Sequence, residues 1–357
     1  MTRTKTWLCS LGAVVFAASL TAGCGGSDSD AKSGGSGTLT FVGYGGETQD
    51  LQANVFEKPF TKETGIEFRN DSPPDTAKLK AMTQSGKVSW DVVTVTSAGA
   101  FQLCGTALEK VDTSIVDFSV LGKNADRLKA DCGTPAYFSS MLFAYDSEKF
   151  ANDPPTSIED FFDTTKYPGK RVFPPELEPG FLEFALMADG VAPEDLYPLD
   201  VDRALKKLDT IKDDSIFADS YGAVQQDLAS QTAAMALTPP TRLYYVLQDG
   251  APYKVVWDKT MVNWDYFAIP KGSENAENAN KFLAFSLEVP QQTAMTEAAG
   301  PGIAPVNPNT NPEYNDLQET TNPFAPDHVD GVVYVDPKWW GDNVEETYEK
   351  FTKWQVG

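Results

Sequence analysis

Met261-Val-Asn-Trp-Asp-Tyr-Phe-Ala-Ile-Pro270 sets one carboxylate, Asp265, between Trp264 and Tyr266 in a β-prone run that turns wholly apolar at Phe267, Ala268 and Ile269. Aromatic faces beside a carboxylate make a partly dry place for a cation, because ring quadrupole and negative charge both attract it where water screens poorly. The competing reading is a strand-end Asp that caps a turn in a run that is simply core. The segments on either side decide what this strand is for.

Upstream, the chain alternates strands with helices twice over. Thr38 to Val42 reads as a strand that breaks at Tyr44-Gly45-Gly46. A helical pattern then runs from about Thr48 to Phe60, and a second strand begins at Thr64-Gly-Ile-Glu-Phe. A helix from Asp75 to Ser85 leads to a buried strand, Trp90 to Val95, with Thr96 and Ser97 just beyond its end. Such alternation predicts a parallel, helix-covered sheet whose ligands meet the loops at strand carboxyl ends, where Tyr44, Gly45, Gly46, Thr96 and Ser97 fall.

A further strand, Ser139 to Tyr145, leads to a Pro-rich joint near residues 152–155. A second series opens there with Thr156-Ser-Ile-Glu159, a capping-box pattern. It runs through helices at Glu183 to Ala188 and Val201 to Ile211 and strands at Thr232 to Leu237 and Tyr253 to Trp257, and the stretch that carries Asp265 closes it. Two later helices, Asn278 to Leu287 and Pro290 to Ala299, have no sheet of their own and must pack on the first. The pattern predicts one domain inserted in another, with crossings near Phe143 to Ser147 and Trp264 to Pro270, which together make a hinge. An amphipathic helix from Asn343 to Trp354 ends the chain.

Length and charge agree with this. The 357 residues allow about two domains. A formal charge of -22 argues against a nucleic-acid partner, which would need clustered Lys and Arg. The start reads as an export signal: Arg3 and Lys5, then an apolar run from Leu8 to Leu20 too short for a mature span, then small residues leading to Cys24. Residues 25–37, rich in Gly, Ser and Asp, read as a flexible tether. Of four cysteines, Cys9 leaves with the signal, and in an exported domain Cys104 and Cys132 are expected to pair.

Enzyme signatures are sparse. The single histidine, His328, lies in a Pro- and Asp-rich stretch, so triad and multi-His metal chemistry lack their parts. Ser85-Gly86-Lys87 lacks the upstream glycine of a phosphate loop, and Gly45-Gly46 lacks a dinucleotide fingerprint. No cofactor or metal is expected. A hydrolase built on paired carboxylates is the competing class.

The run Leu20-Thr-Ala-Gly-Cys24 resembles a bacterial lipobox, with its leucine one place further upstream than the commonest pattern, and implies that Cys24 is lipidated. The whole arrangement resembles the solute-binding lipoproteins of bacterial ATP-driven importers, in the spermidine/putrescine-binding branch and its γ-aminobutyrate-binding relatives. The motifs that carry the likeness are Gly45-Gly46-x-x-Gln49, Pro59-Phe60 with Glu63-Thr-Gly-Ile66, Trp90-Asp-Val-Val93, Leu182-Glu-Phe-Ala-Leu186 with Ala188-Asp-Gly190, Trp264-Asp265 with Ala268-Ile-Pro270, and Trp339-Trp340.

The resemblance implies an α/β, bilobed periplasmic-binding-protein fold of type II. Its first lobe would span 38–145 and 265–325, its second 146–264, and segment 326–357 would pack across both, after a signal at 1–23 and a tether at 24–37. It implies a monomer outside the cytoplasm, in the periplasm or on the outer face of the plasma membrane, held by lipid alone. It would catalyse no reaction and would deliver a small amine or ω-amino acid to a membrane permease and its ATPase.

Asp265 matches the family's amine-binding acid, and Trp264 is the aromatic beside it. Tyr44 matches its aromatic wall and Thr96 or Ser97 its hydroxyl. Arg242 in Pro239-Pro-Thr-Arg242 matches the arginine that meets a ligand carboxylate in the γ-aminobutyrate binders, although Pro and Thr replace the two residues before it. The Gly45-Gly46 amides are a second place for an anionic end, and Glu183 and Trp340 complete the expected set. Surface pairing for Arg242, edge packing for Tyr44 and local capping for Glu183 are the structural alternatives.

Overall fold

The computed structural model describes residues 37–357, except Pro179, Gly300, Pro301 and the side chain of Glu47. The export signal, Cys24 and the tether up to residue 36 lie outside the described residues. Among the described residues nine strands form one sheet: β1 (Thr38–Val42), β2 (Glu67–Asp71), β3 (Val92–Thr96), β4 (Thr134–Asp146), β5 (Lys170–Phe173), β6 (Ser215–Phe217), β7 (Ala233–Thr238), β8 (Tyr253–Ala268) and β9 (Val332–Tyr334). Their order is β2-β1-β3-β8-β4-β7-β5-β6, with β9 beside β8.

The sheet is mixed rather than parallel. The strands on either side, β1 with β2 and β3, and β5 with β6 and β7, pair in parallel as helix crossovers require. At the centre β8 runs antiparallel to both β3 and β4, and β4 antiparallel to β7. The two central strands are long, 13 residues in β4 and 16 in β8, and they carry the chain between the β1–β3 half and the β5–β7 half. The stretches Tyr253 to Trp257 and Met261 to Pro270, separate in the sequence reading, belong largely to one strand. Opposite β4 the register jumps between Met141↔Met261 and Phe143↔Val256, so residues 257–260 bulge out; Lys259 turns there with φ 54°, and Thr260 begins pairing with β9.

Local chemistry accounts for the flanking elements. The first helical pattern runs from Gly46 through a π turn at Ala53–Glu57 to Thr64, where Gly65 ends it at φ 78°. In Val201–Asp209 the Asp200 carboxylate accepts from Arg203 N, while Ala204, Leu205 and Leu208 are buried on one stripe. The capping box of Ile158–Phe162 sits one residue later than expected: Ser157 and Asp160 form it. Pro239 is extended, and Pro240 opens the helix Pro240–Gln248, a position where a missing N–H costs nothing, so Thr241 and Arg242 are helical.

The C-terminal helix, Pro337–Val356, touches both halves. On one side it packs against helix Ser97–Gln102, and Gly341 permits the approach: a Cβ there would lie 3.0 Å from Ala98 O. On the other, Tyr348 accepts from Leu177 N at 3.2 Å and Trp354 Nε1 donates to Asp209 at 2.6 Å. Cys104 and Cys132 form a disulfide with Cα atoms 5.3 Å apart. The loop it fastens also pairs with the end of the Asp265 strand, through Glu109 N to Ile269 O at 2.8 Å and Lys271 N to Ala107 O at 2.9 Å. No helix among the described residues is long and apolar enough to cross a membrane.

Candidate functional site

A cavity of about 390 Å³ opens where β4 and β8 pass between the two halves, and Asp265 lines it. Side chains alternate along a strand, so Asn263 and Asp265 face the cavity while Trp264 and Tyr266 point the other way. Trp264 is fully buried there, edge-on to Phe138 with ring centroids 6.2 Å apart. The expectation that Trp264 walls the site is therefore corrected: sequence neighbours on a strand cannot share a face.

The aromatic walls come from three tyrosines on other elements. Tyr44, 46% exposed, stands after β1. Tyr137 lies directly opposite Asp265 on β4, its hydroxyl accepting from Gln52 Nε2 at 3.3 Å. Tyr221 begins helix Tyr221–Ala229 and donates to Glu176 at 3.0 Å. Two further carboxylates, Glu176 and Glu178, enter from the loop after β5. Ser97 Oγ donates to Glu178 Oε1 at 2.9 Å.

Crowding three carboxylates into one cleft shifts their protonation. Burial pushes Asp265 up to about 7, helped by the Glu176 charge and opposed by the Tyr137 and Tyr44 hydroxyls. Burial likewise brings Glu178 to about 7; the Ser97 hydroxyl and Ala98 N–H pull down, and the charges of Glu183 and Asp265 push up. Glu176 keeps an open face to water, yet the cleft walls desolvate its carboxyl and raise its pKa against the Tyr221 hydrogen bond. An approaching ammonium would reverse these shifts by supplying the missing counter-charge.

Arg242, in the first turn of Pro240–Gln248, lines the same cavity. Its guanidinium donates to Gln225 Oε1 at 3.2 Å and makes no salt bridge among the described residues. It also borders a second cavity of about 410 Å³ that Gly46 and Gln248 line.

The remaining expected residues are distributed less simply. Thr96 lines the cavity in register with Asp265, and its hydroxyl accepts from Gly99 N at 3.1 Å. Ser97 is buried behind it. Gly45 lines the cavity, but its N–H is already bonded to Gln49 Oε1 at 2.8 Å, so it does not serve an anion as expected. Glu183 and Trp340 are fully buried outside the cavity. There Glu183 Oε1 accepts from Trp340 Nε1 at 2.7 Å and from Tyr197 Oη at 2.6 Å, fastening Phe181–Ala188 to the C-terminal helix. Their expected ligand role is corrected to a structural one.

Several quoted motifs are also structural. Gln49 binds Asn70 at 2.8 Å and Asp71 O at 3.1 Å. Asp91 accepts from Thr40 N at 2.8 Å and Ser273 Oγ at 2.6 Å, joining β1 to the loop after β8.

Sequence reading missed Tyr137, Tyr221, Glu176, Glu178 and Asn263. A signal existed for the acids: Pro174-Pro-Glu-Leu-Glu178 is a Pro-rich loop at a strand's carboxyl end, where such sheets bind ligands. For Asn263 it was the two-residue step from Asp265.

Residues 57–322 match the family described as bacterial extracellular solute-binding protein. The chain is 33% identical over 327 residues to a gamma-aminobutyric acid-binding protein of Pseudomonas aeruginosa, covering 89% of this chain and 90% of that one. Among solved structures, one described as a GABA receptor superimposes with a TM-score of 0.81 at 35% identity, over 89% of this chain and 97% of its own. The PBP AgtB from A. tumefaciens R10, in complex with agropinic acid, superimposes with a TM-score of 0.75 at 29% identity, over 90% and 99%. These neighbours share the type II binding-protein fold. With most of its length matched and a cleft that the two long strands cross, the chain belongs to the bacterial extracellular solute-binding proteins.

Proposed function

We propose that this protein captures a small ω-amino acid of the γ-aminobutyrate kind for an ATP-driven importer. One observation carries the reading: Asp265 and Arg242 line one cavity, so a dipolar solute satisfies both. The ammonium lies against Asp265 and Glu176, with Tyr44, Tyr137 and Tyr221 around it. The carboxylate meets the Arg242 fork. The relative named for gamma-aminobutyric acid supports the same class.

Lipid anchoring through Cys24, action as a monomer, lobes divided at 145/146 and 264/265, and hand-over to a permease and its ATPase complete the proposal. No reaction is assigned. A second reading, putrescine or spermidine, draws on the presence of Glu176 and Glu178 beside Asp265, which gives the cavity three carboxylates against one guanidinium.

Calorimetry with γ-aminobutyrate and putrescine on wild type, Arg242→Ala and Asp265→Asn separates the two. Leaving a buried charge unpaired costs about 3 kcal/mol or more, a change of roughly a hundredfold in Kd. Asp265→Asn should abolish binding of either ligand, and Arg242→Ala should weaken only the amino acid. Wild-type affinity in Asp265→Asn would remove the residue on which the assignment turns.

A further inference from the structure

Among the described residues the one hydrogen-bond partner of the Arg242 guanidinium is neutral: Nη1 donates to the side-chain amide of Gln225 at 3.2 Å. The amide atom in contact is the oxygen, since a guanidinium only donates. Acids are plentiful in this chain, with 51 Asp and Glu against 29 Lys and Arg. Asp249 even borders the second cavity beside Arg242, yet no ion pair forms between them. Other arginines spend their donors differently. Arg203 is paired with the Asp189 carboxylate at 2.7 Å, and Arg171 donates to the backbone carbonyls of Phe161, Gly169 and Asp163.

A carboxylate in the place of the Gln225 amide would take two of the five guanidinium N–H groups in a fork and cancel the charge. The amide takes one N–H and cancels nothing. Arg242 is thus tied to the helix Tyr221–Ala229 with its charge and its other donors still available to a solute in the cavity it lines. The same helix also reaches the acidic end of the site. Tyr221, one turn before Gln225 and on the same face, donates to Glu176 at 3.0 Å.

Resting on the ω-amino-acid reading, we propose that Gln225 is a positioning residue that sets the ligand class: it holds Arg242 ready for a carboxylate without spending its charge, and an acid in its place turns the cleft from ω-amino acids toward diamines. Specificity is a difference of two affinities, and a single charge beside the guanidinium moves them in opposite directions.

The variants are Gln225→Glu, which adds the charge at constant shape, and Gln225→Met, which keeps the length and removes the acceptor. γ-Aminobutyrate and putrescine are titrated into each by calorimetry. Gln225→Glu should weaken γ-aminobutyrate roughly tenfold to a hundredfold, the worth of a hydrogen bond to a charged group, and leave putrescine as tight as in wild type or tighter. Gln225→Met should weaken γ-aminobutyrate by about threefold or more, but by less than about twofold when Arg242 is already Ala, because Gln225 acts through the guanidinium. Unchanged γ-aminobutyrate affinity in Gln225→Glu overturns the inference and leaves the γ-aminobutyrate reading standing. So does an equal loss of both ligands, or an effect of Gln225→Met that is the same with and without Arg242, since a merely structural residue would give either. No binding of γ-aminobutyrate to wild type overturns both readings.

Discussion

Ser97 and Glu178 join the two halves of the molecule through one hydrogen bond: Ser97, just past β3, donates from Oγ to Glu178 Oε1 at 2.9 Å, and both side chains are buried. The Ser97 hydroxyl is the strongest force holding the Glu178 pKa down against burial. Ser97→Ala should destabilise the protein by about 1–2 kcal/mol, since it leaves a buried carboxyl with one partner fewer. Urea unfolding of the two proteins measures this. An unchanged midpoint would mean that water takes the hydroxyl's place.

The raised carboxylates make binding depend on pH. Asp265 titrates near 7 in the free cleft and Glu176 is also raised, and an ammonium beside them lowers both, so binding releases protons. Affinity should be highest above pH 7 and fall as pH drops, by up to about tenfold per pH unit for each proton released. The ligand's own amine and carboxylate keep their charges across this range. Calorimetry at pH 5.5 and 8 in buffers of different ionisation enthalpy reads both affinity and proton count. A flat Kd would contradict the assignment of the amine to these acids.

The same shift acts on folding with the opposite sign. A carboxyl whose pKa is about 7 when folded and near 4 when unfolded binds its proton more tightly in the folded state between those values. Its contribution is fully favourable below the unfolded pKa and is lost as pH rises through about 7. Ligand-free Asp265→Asn should therefore gain more in Tm over wild type at pH 8 than at pH 5. An equal gain at both pH values would refute the raised pKa.

Glu183 offers a contrast, because its buried carboxylate is bonded to Trp340 and Tyr197 rather than to the cavity. Glu183→Ala leaves the buried Trp340 indole and the half-buried Tyr197 hydroxyl without their acceptor, and the cost should be about 3 kcal/mol. Kd for the ligand should match wild type at temperatures where the variant is folded. A selective loss of binding without loss of stability would return Glu183 to the site.

The sequence announced its repeating strands and helices wherever apolar periodicity was strong, as in Val201–Asp209 and β1. It did not announce strand direction. The antiparallel run of β8 depends on pairing with β3 and β4, contacts between residues more than a hundred positions apart for β4. Among the cavity-lining residues, Asp265 and Tyr44 stood out as a charge and a ring beside strand ends, whereas Arg242 came only from the resemblance to the γ-aminobutyrate binders. Trp264 misled because composition draws the eye to neighbours, whereas the pleat separates them. Glu183 and Trp340 misled for another reason: a buried carboxylate with two donors looks the same in sequence as one awaiting a ligand. Tyr137 could be recognised only from the register that sets it opposite Asp265.

The Cys104–Cys132 bridge bears on how the protein is prepared. It fastens the loop whose backbone holds Ile269 and Lys271, and so it steadies the end of the strand on which Asp265 and Asn263 are displayed. A reducing cell interior keeps thiols apart, whereas an export route lets them join. Material secreted with the bridge closed and material folded in a bacterial cytoplasm are thus different reagents, and a weak affinity measured on the second would describe a loosened strand end rather than the cleft itself.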